Sequence, residues 1–263
     1  MLRTAALSLL LALCGYAAAD WLTHGFQVWT DEGARRLEVA LQPVAPPPVR
    51  VDGPGTALQP LAQWLAAPGT VTVVDFIYTR CQTVCLSLGS TFQQLQADLL
   101  QERQSPASPA ASAAAPATVR LLSLSFDSAH DTPAVLQAYA AQLQADPSVW
   151  QFLRVPDPAE LAQLLRRFEV VVVPDGRGDF EHNAALLVVG PQGRLVRVFD
   201  IAERELALNY ARHLALSAVA PASGAAGGAS GTNGANGVDT GTAAPISAPV
   251  AVLMNPSPAS GLP

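Results

Sequence analysis

Hydrophobic positions along this chain alternate between unbroken runs and stretches with a three-to-four-residue period. Residues 71–78 are apolar at nearly every position, the pattern of a strand covered on both faces of its sheet. From there Cys81, Cys85, Leu88, Phe92, Leu95 and Leu99 follow the i, i+3, i+4 spacing of an amphipathic helix, with both cysteines in its first turn. Residues 120–126 read as the next strand. Asp131-Thr132-Pro133 opens a second helix: Asp131 or Thr132 can cap the free N–H groups, and Pro133 suits the first turn. Its apolar positions are Val135, Leu136, Tyr139 and Leu143. Leu161, Leu164, Leu165 and Phe168 mark a third helix, followed by a strand over 170–173. Residues 184–189 and 194–199 flank Gly190-Pro191-Gln192-Gly193, a hairpin signal. A last helix covers 203–216 with Leu206, Tyr210 and Leu214 inward.

This order of alternating strands and helices, ending in a hairpin and helix, fits a thioredoxin-like three-layer α/β fold over residues 58–217. Residues 20–57 read as a Pro-rich N-terminal extension with a short β-hairpin that pairs 37–41 with 49–51. A low-complexity stretch at 105–118 reads as a long inserted loop. Residues 218–263 are built from Ala, Gly, Ser, Thr and Pro with Asp239 as their only charge, too little apolar area to offset ordering entropy, and read as a disordered tail. The apolar patch ending at Met254 is open to reading as a docking peptide, but a plain tail explains it more simply. At the other end, Arg3, the apolar residues 5–13 and Ala17-Ala18-Ala19 before Asp20 make residues 1–19 a secretory signal peptide. That apolar run is short against the roughly 20 residues needed to span a bilayer, so cleavage after Ala19 is expected, with an uncleaved tether as the alternative. Leu11-Ala12-Leu13-Cys14 faintly resembles a lipoprotein site, but Leu13 is bulky for the place before such a cysteine.

The net charge of −6 leaves no basic stripe for nucleic acid. All 15 basic residues are arginine, which excludes Walker-A phosphate loops and Schiff-base chemistry, both of which need a lysine amine. Export implies an oxidising compartment. With Cys14 removed, two thiols remain, Cys81 and Cys85, four positions apart, a spacing compatible with one soft metal ion or, after a modest shift, a disulfide. A purely structural bridge would close so small a loop that it would restrain little unfolded-chain entropy. Of the histidines, His24, His130 and His213 read as solvent-facing, whereas His182 stands before the strand at 184–189, where a thioredoxin-like layout faces the cysteine helix. Two thiolates and one imidazole favour Cu(I), which accepts low coordination, over zinc, which in closed sites recruits four ligands. Cu(II) would need a further oxygen donor. Asp127 and Asp131 can be read as an acid pair, but loop structure and helix capping account for them more simply.

The segment Phe76-Ile77-Tyr78-Thr79-Arg80-Cys81-Gln82-Thr83-Val84-Cys85 resembles the metal-binding segment of the Sco/SenC family. Leu124-Ser125-Phe126-Asp127 with Asp131-Thr132-Pro133, then Trp150-Gln151-Phe152-Leu153, then Asp179-Phe180-Glu181-His182, are similar in order and spacing to that family's later segments. The resemblance implies a thioredoxin-like fold, copper held by Cys81, Cys85 and His182, and assistance in assembling the binuclear copper centre of cytochrome c oxidase. The implied partner is the copper-centre subunit of the oxidase, with other periplasmic copper or thiol-redox proteins as further candidates, and the implied compartment is the bacterial periplasm. Gln82 and Leu86 stand where the family commonly has prolines, and Asn183 where a small hydroxyl residue often follows the histidine. Three functions fit: a copper metallochaperone, a thiol–disulfide oxidoreductase in which Cys81 attacks first, and a redox-inert interaction module, for which three aligned ligand positions argue least.

Overall fold

In the computed structural model the described residues are 2–23, 25–26, 28–81, 84–104, 118–177 and 179–219; the side chains of residues 2 and 84–86 lie outside the description. The chain divides into two units, Met1–Pro221 and Ala222–Pro263, and the second lies wholly outside the described residues, as do the inserted loop but for its last residue and His24. Residues 218 and 219, expected in the tail, are helical.

The apolar run at 71–78 forms the central strand. Strands β1 (Arg50–Gly53), β2 (Thr56–Pro60), β3 (Thr70–Ile77), β4 (Thr118–Ser125), β5 (Trp150–Arg154), β8 (Leu186–Val189) and β9 (Leu195–Phe199) make a seven-stranded sheet in the order β2-β1-β5-β4-β3-β8-β9. β3 runs parallel to β4, and β4 to β5, while β8 and β9 add antiparallel strands on the other side. A second sheet of two strands, β6 (Val172–Pro174) and β7 (Phe180–His182), carries the site histidine. Strand alternation divides β3 between two cores. Val74, Phe76 and Tyr78 join Leu122, Leu124, Leu153, Leu164 and Phe168 on one face. Val71, Val73 and Ile77 join Leu88, Phe92, Leu95, Trp150 and Leu208 on the other. The result is a three-layer α/β domain, as its apolar spacing predicts.

Helices α3 (Leu61–Leu65), α4 (Val84–Gln104), α5 (Pro133–Gln142), α6 (Pro158–Arg167) and α7 (Arg204–Val219) cover the sheet. Local chemistry sets their starts. Thr132, not Asp131, caps α5, accepting the Val135 N–H, and Asp157 caps α6, accepting from Ala159 and Glu160.

Four expectations are corrected. Residues 37–41 are not a strand: they belong to α2 (Asp31–Leu41), where Thr30 accepts the Gly33 N–H, Asp31 and Glu32 meet the positive helix start, and Glu32 binds Arg35 and Arg36. The hairpin instead joins β1 to β2 through a turn with Gly55 at φ 69°, and it extends the main sheet by pairing with β5. In α5 Val135 is exposed, and Leu136 alone is fully covered. In α7 Leu206 is 59 % exposed, while Ala207, Leu208, Ala211 and Ala215 face the sheet; the small alanines let the helix approach closely, so the buried stripe lies one residue off the leucine pattern. Finally, the N-terminal helix α1 (Leu2–Leu22) runs on through Ala17-Ala18-Ala19, and residues 3–22 are long and apolar enough, at mean hydropathy 1.6, to cross a membrane by length and composition.

Candidate metal and thiol site

The ends of β3, β4 and β7 meet at one edge of the sheet. Each end supplies an aromatic ring: Tyr78 after β3, Phe126 after β4 and Phe180 in β7. Their centroids lie 5.3 Å (Tyr78–Phe126), 5.1 Å (Tyr78–Phe180) and 5.6 Å (Phe126–Phe180) apart, the two Phe180 contacts being edge-on, the arrangement that aromatic quadrupoles favour. The His182 ring packs on Phe126 at 5.2 Å. This apolar setting pushes the imidazole below its ordinary pKa by desolvation, which favours the neutral form, the one that ligates metals.

Cys81 is buried, 7 % exposed, in the loop that leaves β3. Its N–H donates to the Tyr78 carbonyl at 3.3 Å. The helix expected to hold both cysteines in its first turn begins later, at Val84: Cys81 precedes α4, and Cys85 is its second residue. The loop backbone is held from the side by Asp131, a fully buried carboxylate. Asp131 accepts the Thr79 N–H at 3.0 Å, the Thr79 hydroxyl at 2.6 Å and the Ser125 hydroxyl at 2.6 Å. Asp131→Ala would strand these donors, the Ser125 hydroxyl buried and the two of Thr79 part-buried, and an orphaned buried donor costs about 1–3 kcal/mol. The expected loss is about 3 kcal/mol or more in denaturant unfolding at unchanged slope, with partial recovery in Asp131→Asn; an unchanged midpoint would refute the clamp.

Asp127 holds the next two side chains. Burial alone would raise its pKa, but hydrogen bonds from His130 and Arg80 hold it below the ordinary aspartate value. His130 Nδ1 and an Arg80 terminal nitrogen each lie 2.8 Å from it, leaving both side chains turned to solvent beside the Cys81 loop. His130 and His213 are exposed, as expected. Asn183 latches the histidine strand: its Oδ1 accepts the Val171 N–H at 2.7 Å and its Nδ2 donates to the Glu169 carbonyl at 3.0 Å. A hydroxyl side chain would place its donor and acceptor on one atom, whereas the amide spreads them over two.

Cys81 and His182 are thus brought to one end of the sheet and linked through the aromatic trio. Cys85 sits beside them in the chain, with its side chain outside the description. Among the described residues no three His, Cys, Asp or Glu side chains gather as a metal-ligand cluster. The aromatic trio and the Asp131 clamp were missed by the sequence reading; the signal available was Tyr78, Phe126 and Phe180, one aromatic residue in each of three of the four segments that carry the resemblance.

A three-layer sheet with a cysteine loop and a histidine strand at one edge defines a thioredoxin-like domain with a candidate thiol and metal site. The SCO1/SenC family profile matches residues 63–214, and the chain belongs to that family. A relative from Bacillus subtilis (strain 168), described as a SCO1 protein homolog, is 27 % identical over 151 residues, 57 % of this chain and 68 % of its own. Two solved structures share the fold. BsSco, a member of the Sco family of cytochrome c oxidase assembly proteins in which a disulfide switch was identified, matches with TM-score 0.53 and 22 % identity over 66 % of this chain and 95 % of its own. Yeast Sco1, solved with copper bound, matches with TM-score 0.52 and 16 % identity over 68 % of this chain and 92 % of its own.

Proposed function

We propose that this chain is an exported copper metallochaperone that assists assembly of the binuclear copper centre of cytochrome c oxidase. Cys81 and Cys85 as thiolates and His182 as neutral imidazole form the ligand set, and Cu(I) is the preferred ion because two soft sulfurs and one nitrogen suit its low coordination number. The observation that carries this reading is the placement of Cys81 and His182 at one sheet edge, the first buried and the second desolvated, which favours its neutral form. The copper held by yeast Sco1 supports it. The cargo would pass to thiolates or imidazoles on the copper-centre subunit of the oxidase. Helix α1 would direct export to the bacterial periplasm and, where retained, tether the domain to the inner membrane.

A second reading is supported by the disulfide switch of BsSco. In it the reduced Cys81–Cys85 pair gives two electrons and two protons to a partner's disulfide and closes its own. Both readings need the reduced pair. The test is an anaerobic Cu(I) titration of the reduced chain against a competing chelator, run beside a thiol–disulfide exchange assay. One bound Cu(I) per chain is expected; a chain that binds none yet reduces a disulfide peptide would replace the first reading by the second.

A further inference from the structure

We infer that Tyr78 is a positioning residue whose hydroxyl ties the cysteine loop to the histidine strand and so sets the separation of Cys81 and His182. The inference rests on the ligand reading above and names what holds those ligands in register. Tyr78 is 2 % exposed and stands three residues before Cys81. Its Oη lies 3.3 Å from both polar atoms of the Phe180 peptide edge, accepting from the N–H and donating to the carbonyl.

The β6–β7 ladder shows why Phe180 needs this. In an antiparallel pair the cross-strand bonds fall on alternate residues. Here Asp175 N–H donates to the Asp179 carbonyl and Asn183 N–H to the Val171 carbonyl, so the bonded positions are the odd-numbered ones. Phe180 pairs with Pro174 at a position whose N–H and carbonyl turn away from β6. A half-buried peptide edge left unpaired is costly, and the Tyr78 hydroxyl fills it. His182 follows two residues later in the same strand.

The phenol has one proton and two lone pairs. With the Phe180 N–H on one lone pair and its proton on the Phe180 carbonyl, a single oxygen satisfies both polar atoms and holds the histidine strand to the residue that leads into the cysteine loop.

Tyr78→Phe in the full chain keeps the ring contacts with Phe126 and Phe180 and deletes only the hydroxyl. The expected result is about tenfold weaker Cu(I) binding, the lower end for loss of an outer-shell partner, with weakened imidazole scattering in X-ray absorption of the loaded protein. Hydrogen exchange of the Phe180 amide should accelerate by about tenfold or more, as for any amide that loses its acceptor. Wild-type affinity, imidazole signature and exchange rate in the variant would overturn the inference. If the unmodified chain binds no Cu(I), the ligand reading fails and the exchange rate alone decides the Tyr78 tie. If the variant does not fold, the exchange rate is read in the unmodified chain: a Phe180 amide as fast as an exposed turn sinks the inference, and core-like protection upholds it.

Discussion

Cys81→Ala is expected to abolish stoichiometric Cu(I) binding, whereas His182→Ala is expected to weaken it and leave a two-coordinate bis-thiolate ion. The asymmetry follows from ligand chemistry. Cu(I) is soft, and losing one of two thiolates removes most of the bonding, while losing a neutral imidazole leaves both sulfurs in place. The cysteine variant should lose more than the roughly 100-fold upper figure for outer-shell changes, and the histidine variant about that much or less. Both positions lie at the edge of the core, so the apo fold should survive: Cys81 is small and sits in a loop, and His182 ends a short strand. Chelator competition on each reduced variant provides the check. Equal losses in the two variants would argue for an ion held mainly by other groups. In the disulfide exchange assay the order separates further, since Cys81→Ala removes the reaction and His182→Ala leaves it.

Asp75→Asn should abolish a pH dependence of stability that the natural chain carries. Asp75 lies in the middle of β3, 1 % exposed, facing the core of Val71, Val73 and Ile77. Desolvation, opposed only partly by a hydrogen bond with Ser123 and one with its own backbone, raises its pKa from the ordinary 3.8 to about 7. The Ser123 hydroxyl also accepts the Trp150 indole N–H at 2.9 Å; with one proton and a second lone pair it can donate to Asp75 when the carboxylate is charged and accept from it when protonated. The second oxygen, Oδ1, has no hydrogen-bond partner among the described residues, so ionisation would leave a charge in an apolar core.

Because the folded pKa lies above the unfolded one, the native state binds more protons between about pH 4 and pH 7. The stability it contributes is complete below the unfolded value and is lost as pH rises through the folded one. From pH 5 to pH 8 the loss is about 3 kcal/mol at ~1.4 kcal/mol per pKa unit, or about 6–12 °C in Tm for a domain of this size. Asp75→Asn should flatten that slope, melting above the natural chain at pH 8 and close to it or below at pH 5. Parallel Tm–pH curves for the two chains would show that Asp75 does not titrate in this range. Among the described residues no basic group stands against the carboxylate to change the sign.

How much of this was legible beforehand varies by element. The apolar run of β3, the i, i+3, i+4 stripe of α4 and the Thr132-Pro133 start of α5 depend on neighbours in sequence, so period and capping chemistry reveal them. Leu37 to Leu41 misled because alternating apolar residues suit a strand, while the Thr30 cap and the Glu32 pairs that settle the helix lie upstream of them. Leu206 misled because helix periodicity names a stripe without saying how near the sheet will come, and α7 approaches on its alanines. Asp75 was visible as a lone acid inside an apolar strand, yet its charge state depends on Ser123 and Trp150, far along the chain.

By itself the sequence determined the main strands and helices from β3 onward, the thioredoxin-like layering and the three residues that the family's site implies, since these rest on local periodicity and on residue identity. The tertiary structure alone decided that β3, β4 and β7 end together, that Asp131 clamps Thr79 rather than capping a helix, and that Tyr78 reaches Phe180 across 102 positions of chain. Those contacts depend on strand register and sheet order, and a one-residue slip in either would turn the same side chains to the opposite face.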